Sequence, residues 1–394
     1  MQDRAEGGPL PVMGPVMERS RESKKIFILA STLVIGGAEM VFRSLAENLE
    51  SSGYNVELLF LREPGETGEN LIEKGICFRR DISGSRFNPL ALLRLFRIFR
   101  KNRDSVLLAL DHHNVISLGG LASRCAGLRG SVLSVHSTGL WGSGRTFSRL
   151  DRIHLRLFDR IVALSDTHAG YLAEREGVPK SRMVVINNGI DTDRFNPADR
   201  EEKGGRIKRE IEIGDDETVV TIVAALRPEK NHVMFIESAG RVMKREESAR
   251  FLIVGEGEQR EFLEKETERR ELRGRVTFLG SREDIPDILS ASDISVLCSH
   301  PVVETFPLTV LEAMACGLPV ISTDVGSLSD IITDRRDGIL IPAGDSEALA
   351  ENIIELIRNL NLRDRLGKNA RRKVELKFSK QEMVNNYLNM LSDL

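Results

Sequence analysis

The stretch ISVLCSHPVVETFPLTVLEAMACGLPVISTD, residues 294–324, reads as a buried strand, a polar loop, a helix over 308–316, a glycine stop at Gly317 and a second strand. The two apolar runs are too short for helices, and the run between them is too long for a turn. Thr305 can cap the helix, and Pro307 suits a first turn, where a missing N–H costs little. The next free backbone N–H groups then form an anion site at the strand's carboxyl end. Two carboxylates bracket that site. Glu304 lies in the loop, and Glu312 sits eight residues further on, inside the apolar run LTVLEAMA, where an unpaired carboxylate is expensive.

The same alternation extends in both directions. Upstream it runs through apolar segments at 26–32, 56–61, 106–110, 132–136, 161–165 and 184–187, with helical spacing at 36–49, 88–101, 115–126, 147–158 and 166–176. Such alternation specifies a parallel sheet covered by helices on both faces. Residues 195–214 turn polar, with Pro197, Gly204 and Gly205 expected to break regular structure. A fresh series then begins, with strands expected at 219–226, 251–257, 276–280, 294–299, 319–324 and 338–342 and helices at 231–244, 285–290 and 308–316. The expectation is an α/β chain of two Rossmann-like domains facing a central cleft. Its parts are a disordered segment at 1–24, domains at 25–196 and 197–375, and a C-terminal helix at 376–394, amphipathic through Met383, Tyr387 and Met390. Ligands in such sheets bind beyond the carboxyl ends of the strands.

Composition narrows the function. The 394 residues carry 56 Lys+Arg against 59 Asp+Glu, a balance that rules against affinity built on neutralising nucleic-acid phosphates. The charge is unevenly spread, with +5 over residues 1–200 and −8 over 201–394. The stretch 86–103 holds Arg86, Arg94, Arg97, Arg100, Lys101 and Arg103, no acid, and a Leu/Phe face. Such a helix can lie on an anionic membrane surface or pack its apolar face on the sheet. A second basic series, Arg145, Arg149, Arg152, Arg156 and Arg160, follows. Cys77, Cys125, Cys298 and Cys316 lack metal or redox spacing and read as reduced core thiols, which suggests a cytoplasmic setting. No 18-residue apolar run exists, and prolines interrupt the first 25 residues. GEGEQR at 255–260 has Arg260 where a dinucleotide fingerprint needs its third glycine, and no P-loop occurs.

The segment from Glu304 to Glu312 resembles the paired-glutamate motif of the retaining glycosyltransferases of family four, nucleotide-sugar enzymes of GT-B fold. Other stretches match that family in order: IGGAE (35–39), VHST (135–138), NNGIDTDRF (187–195), LRPEKN (226–231), VGEGE (254–258), FLGSRED (278–284), GLPVIST (317–323) and DGILIP (337–342). The resemblance implies that Glu304 contacts the donor sugar near its reacting carbon and Glu312 the ribose. It also implies that Thr305, Phe306, Leu308 and Thr309 cradle the diphosphate through backbone N–H groups, with Lys230 as phosphate-binding cation. Gly36 and Gly37 would let backbone approach the donor from the other domain, His136 would border the reacting sugar, and the C-terminal helix at 376–394, like the family's final helix, would return to the first domain. Ala225 stands where the family's common pattern has an arginine, and Arg227 is the candidate substitute. The expected reaction is transfer from a nucleoside-diphosphate sugar, a UDP-sugar ahead of a GDP-sugar, to a hydroxyl of a glycan or lipid-linked glycan. No metal, other cofactor or nucleic acid is implied, and the expected location is cytoplasmic or peripheral on the membrane's inner face. Two other classes fit the architecture: a nucleotide-sugar 2-epimerase and a non-catalytic nucleotide-sugar binder.

Overall fold

In the computed structural model, which describes residues 24–34, 36–83, 89–137, 147–301 and 304–394, the apolar runs pair into two all-parallel sheets. The first contains β1 (Lys25–Ala30), β2 (Asn55–Phe60), β3 (Cys77–Arg79), β4 (Val106–Leu110), β5 (Gly130–Ser134), β6 (Arg160–Ala163) and β7 (Met183–Val185), in the order β3-β2-β1-β4-β5-β6-β7. The second contains β8 (Thr218–Val223), β9 (Ala249–Val254), β10 (Val276–Gly280), β11 (Ile294–Leu297), β12 (Val320–Thr323) and β13 (Ile339–Ile341), in the order β10-β9-β8-β11-β12-β13. In each sheet the order reverses at one point, between β1 and β4 and between β8 and β11. Chains diverge to opposite faces at such a switch point, which opens a crevice at the strands' carboxyl ends.

Helices cover both faces of the first sheet. Its β1, β2 and β4 send Ile28, Leu58 and Leu108 toward Phe42 and Leu45 of α1 (Gly37–Ser51). On the opposite face Phe27, Leu107 and Leu133 meet Phe99 of α3 (Pro89–Arg100), Ile116 of α4 (His113–Ala126) and Leu155 of α5 (Arg149–Leu155). Between α1 and α3 the chain forms α2 (Gly65–Glu73), and α6 (Asp166–Glu176) follows β6. The second sheet is covered by α8 (His232–Val242), α9 (Arg260–Arg269), α10 (Ile285–Ala291), α11 (Leu308–Ala315), the short α12 (Leu328–Ile331) and α13 (Ser346–Arg358). The long α14 (Leu360–Lys377) ends where Ser379 bridges Ile190, and α15 (Lys380–Ser392) then crosses to the first sheet. There Met383, Val384, Tyr387, Met390 and Leu391 join the core built on β1 and α1.

Several local expectations need correction. Residues 195–214 are not irregular: Pro197–Asp199 forms a 3₁₀ turn, Arg200–Gly204 a π turn, and Gly205–Glu210 the helix α7. Gly204 is there for close approach, because a Cβ would meet the Ser290 carbonyl oxygen at 2.5 Å. The α2–β3 unit escaped the sequence reading because GETGENLIE is polar and the edge strand is three residues long. Strand β5 ends at Ser134, so His136 lies just beyond it. Cys125 is exposed and Cys77 half-buried, against buried Cys298 and Cys316. The expected disorder over 1–24 falls, apart from Lys24, outside the described residues, as do Arg86, Thr138 and Arg145. Among the described residues no helix is long and apolar enough to cross a membrane.

Candidate functional site

Strands β8 and β11 flank the second sheet's switch point, and the loops leaving them carry Lys230 and Glu304. Lys230 closes the turn Pro228–Lys230, followed by Asn231 in a left-handed conformation (φ 50°) that starts α8. Its Nζ lies 2.5 Å from Glu304 Oε1, and Ser299 Oγ donates to the same oxygen. Glu304 is only 4% exposed, so these two donors offset the cost of burying its charge. The loops are tied together further by His300 N–H, which donates to the Glu229 carbonyl (2.9 Å). Gly326 (φ 57°) leaves room for the Glu304 backbone, since a Cβ would meet its carbonyl oxygen at 1.9 Å. The Ser327 N–H then holds that oxygen at 3.0 Å.

Helix α11 begins beside this pair. The N-cap falls on Pro307 (φ −69°, ψ 121°), not Thr305, and no side chain caps the first turn. Proline fixes the extended entry but offers no oxygen, so the N–H groups of Leu308, Thr309 and Val310 lack an intrahelical acceptor. Thr305 and Phe306 are buried, Phe306 against the edge of Phe378 (5.5 Å between centroids), while Leu308 and Thr309 are partly exposed. Gly37, the first residue of α1, faces this turn: a Cβ there would lie 3.8 Å from Leu308 Cδ1. Gly36 is extended (φ −172°), which any residue can adopt, so its lack of a side chain serves space alone. A Cβ at Gly36 would meet the Glu39 carboxylate at 2.4 Å. The glycines therefore bring the starts of two helices from different sheets into apposition. Asn188 Nδ2, donating to the Phe306 carbonyl (3.1 Å), and Ser165 Oγ, bonded to Ser327 Oγ (2.6 Å), bridge the same cleft.

Glu312, one turn further along α11, helps line a pocket of about 220 Å³ with Arg194, Asp191, Gly189, Leu308 and Lys380. Burial pushes its carboxyl up to about 7, with Arg194 pulling the other way. Arg227 is exposed, as is Ala225, and among the described residues no ion pair engages Arg227. The Gly255 and Gly257 backbone packs on this loop, with Leu226 N–H donating to the Glu256 carbonyl at 2.9 Å. No group of three or more His, Cys, Asp or Glu among the described residues could hold a metal ion.

Across the cleft, Asp111 at the end of β4 organises the chain after β5. Its Oδ2 accepts from the backbone N–H of His136 (2.9 Å) and of Ser137 (3.1 Å) and from the Ser137 hydroxyl (2.7 Å). His136 Nε2 lies 2.9 Å from Ser134 Oγ, which in turn lies 2.8 Å from the Tyr387 hydroxyl of α15. Burial pulls the His136 imidazole down to about 4, against the attraction of Asp111. Buried His168 also drops to about 4 through burial and lies beside the Ser137 backbone. Its Nδ1 accepts from Leu164 N–H (3.1 Å), which puts the ring proton on Nε2. The sequence reading missed Ser134, His168 and Ser299. One signal was available for Ser134: residues two apart at a strand end share a face.

Two facing parallel-sheet domains with a lysine, a buried glutamate and an uncapped helix start at the switch point define a GT-B glycosyltransferase framework. Comparison with known proteins agrees. The family model "Glycosyltransferase Family 4" matches residues 35–194, and "Glycosyl transferases group 1" matches 205–373. The chain belongs to the family four glycosyltransferases and is an enzyme of that type. It is 28% identical over 314 residues to the UDP-Gal:alpha-D-GlcNAc-diphosphoundecaprenol alpha-1,3-galactosyltransferase of Escherichia coli, covering 77% of this chain and 79% of that one. It is 27% identical over 371 residues to N-acetyl-alpha-D-glucosaminyl L-malate synthase of Bacillus anthracis, covering 91% and 94%. Among solved structures, Anabaena HepE in complex with UDP superposes with a TM-score of 0.81 at 21% identity, covering 94% of this chain and all (100%) of that one. The Rickettsia africae glycosyltransferase gives 0.83 at 19%, covering 94% and 98%.

Proposed function

We propose that this chain is a retaining transferase that moves a sugar from a UDP-sugar to a hydroxyl of a glycan or lipid-linked glycan. The observation that carries this reading is the Lys230–Glu304 pair beside the uncapped start of α11 (Nζ to Oε1 2.5 Å). In the reaction, the bond between the anomeric carbon and the diphosphate oxygen breaks while the acceptor oxygen attacks the same face. The bonding pair passes to the diphosphate, which takes up the acceptor's proton. Lys230 and the N–H groups of Leu308 and Thr309 stabilise that growing negative charge, and Arg227 can supply a second cation from the same loop. Glu304 accepts from donor-sugar hydroxyls, His136 borders the sugar as a neutral ring, and Glu312 accepts from the ribose. Gly36 and Gly37 admit the donor between the two helix starts. The UDP and UDP-glucose complexes of HepE, and the UDP-Gal named for the Escherichia coli relative, support UDP over GDP.

The reading is tested by thermal denaturation with UDP, GDP and ADP. A ligand that binds only the folded state stabilises it by about 2.7 kcal/mol at a hundredfold excess over Kd. UDP is expected to raise the midpoint, and Glu312→Ala to abolish the rise. No response to any nucleotide at millimolar concentration rejects the assignment.

The acceptor side has a surface suited to a lipid-linked substrate. Helix α4 packs against both α3 and α5. Exposed Leu90, Leu93, Arg97 and Arg100 on α3 and Arg149, Leu150 and Ile153 on α5, with Arg156 just past its end, combine apolar and basic groups. Each basic residue near an anionic leaflet contributes about 1 kcal/mol. Reversing Arg97 and Arg149 to Glu is therefore expected to weaken binding to phosphatidylglycerol vesicles by more than about tenfold. Equal sedimentation with neutral phosphatidylcholine vesicles would remove this face from the account.

A further inference from the structure

The hydrogen bonds of Tyr387, Ser134 and His136 form a line of three polar atoms with two links, one of 2.8 Å and one of 2.9 Å. Tyr387 and Ser134 are 1% and 0% exposed, so water cannot complete what these links leave unmade. Among the described residues the Tyr387 hydroxyl has one partner, Ser134 Oγ, and Ser134 Oγ has two, Tyr387 and His136 Nε2. Each link holds one hydrogen. If His136 Nε2 carried the ring proton, it would donate to Ser134, Ser134 would donate to Tyr387, and the Tyr387 O–H would be buried with no acceptor. A stranded buried donor forfeits its full desolvation cost. In the opposite direction Tyr387 donates to Ser134, Ser134 donates to Nε2, and every hydrogen is used.

We infer that Ser134, which accepts from Tyr387 of the C-terminal helix and donates to His136, is a positioning residue that fixes His136 in the Nδ1–H tautomer. The ring then presents its one proton on Nδ1, the nitrogen that no described residue bonds, while Asp111 clamps its backbone (2.9 Å from His136 N). The consequence for turnover rests on the proposed place of His136 beside the reacting sugar; the tautomer itself does not.

The test uses the full chain labelled with ¹⁵N-histidine, with His136→Gln identifying the His136 ring signals by their loss. The wild type is expected to show His136 as neutral with the proton on Nδ1. In Ser134→Ala with Tyr387→Phe, which removes the hydroxyl bonded to Nε2 and leaves no hydroxyl stranded behind it, the His136 signals are expected to move toward a tautomer mixture. kcat is expected to fall about threefold to tenfold, the worth of one hydrogen bond, with the donor KM unchanged. Tyr387→Phe alone is expected to keep the Nδ1–H form, because Ser134 still donates to Nε2. A wild-type His136 protonated on Nε2, or a spectrum that the double variant leaves unmoved, overturns the inference, and the wild-type spectrum decides it even if the variant folds poorly. An Nδ1–H ring in a protein that binds no nucleotide would instead count against the proposed reaction and leave the relay standing.

Discussion

Lys230→Ala is expected to lower the rate of sugar transfer by about 10² to 10³-fold, the loss typical when one donor to a developing negative charge is removed. The same change strands Glu304, which is 4% exposed and, among the described residues, keeps only Ser299 as a side-chain donor. Breaking a buried ion pair by removing one partner costs about 3 kcal/mol or more, so the variant is also expected to melt earlier. The two effects must be separated, because a partly unfolded enzyme is slow for an uninteresting reason. Lys230→Met with Glu304→Gln does this: neither side chain is charged, no ion is left unpaired, and the neutral amide still accepts from Ser299. Stability is expected to recover most of the way while activity stays at least as low as in Lys230→Ala. A double variant whose turnover recovers along with its melting temperature would falsify the placement of Lys230 at the leaving group and reduce the pair to a structural contact. Expressed per step, a loss confined to kcat means that Lys230 acts on charge present only in the transition state. A loss confined to KM means that it holds the ground-state diphosphate equally well.

How much of this was legible beforehand depends on whether a feature is local. The strands were visible because strands of a fully covered parallel sheet are short apolar runs, as in VLLAL at 106–110. The αL stops at Gly127 and Gly177 closed helices where a left-handed glycine does so at least cost. The unit from Gly65 to Arg79 was hidden because polar residues and a three-residue edge strand carry no comparable pattern. Lys230, Glu304 and Glu312 could be nominated because each sits in a short ordered motif. Their pairing could not, since nothing local says that residues 230 and 304 meet at 2.5 Å. The link between Ser134 and Tyr387 spans 253 positions, and only the folded chain displays it. Pro307 shows the opposite failure: its local meaning was read correctly as a helix start, yet with the cap placed two positions too early, at Thr305.

Donor binding is expected to strengthen with rising pH up to about 7 and then level off, and Glu312 is the reason. Its carboxyl is pushed up to about 7 by burial, from an ordinary value of 4.5. Below that point the empty enzyme holds the group protonated, whereas two ribose hydroxyls can donate only to the ionised form's free oxygens. Binding therefore expels a proton, and affinity is expected to rise by up to about tenfold per pH unit below the midpoint. UDP-glucose is the ligand to use, because both of its phosphates are esterified and do not titrate in this window, unlike the terminal phosphate of UDP. Titration calorimetry in buffers of different ionisation heat reports the released proton directly. Glu312→Gln is expected to bind more weakly above pH 7 and to flatten the profile; a wild-type affinity that stays level between pH 5.5 and 8, about the span of the shift, excludes Glu312 from the ribose site. Stability carries the opposite sign. Between 4.5 and about 7 the folded chain keeps a proton that the unfolded chain has lost, so the residue's contribution declines as pH rises across that range. Glu312→Gln is accordingly expected to gain on the wild type in ligand-free melting as pH rises from 5 to 8, about the same window in which it loses donor affinity. An improvement in one and a deficit in the other, crossing over one pH interval, is a signature that a residue kept for packing would not give.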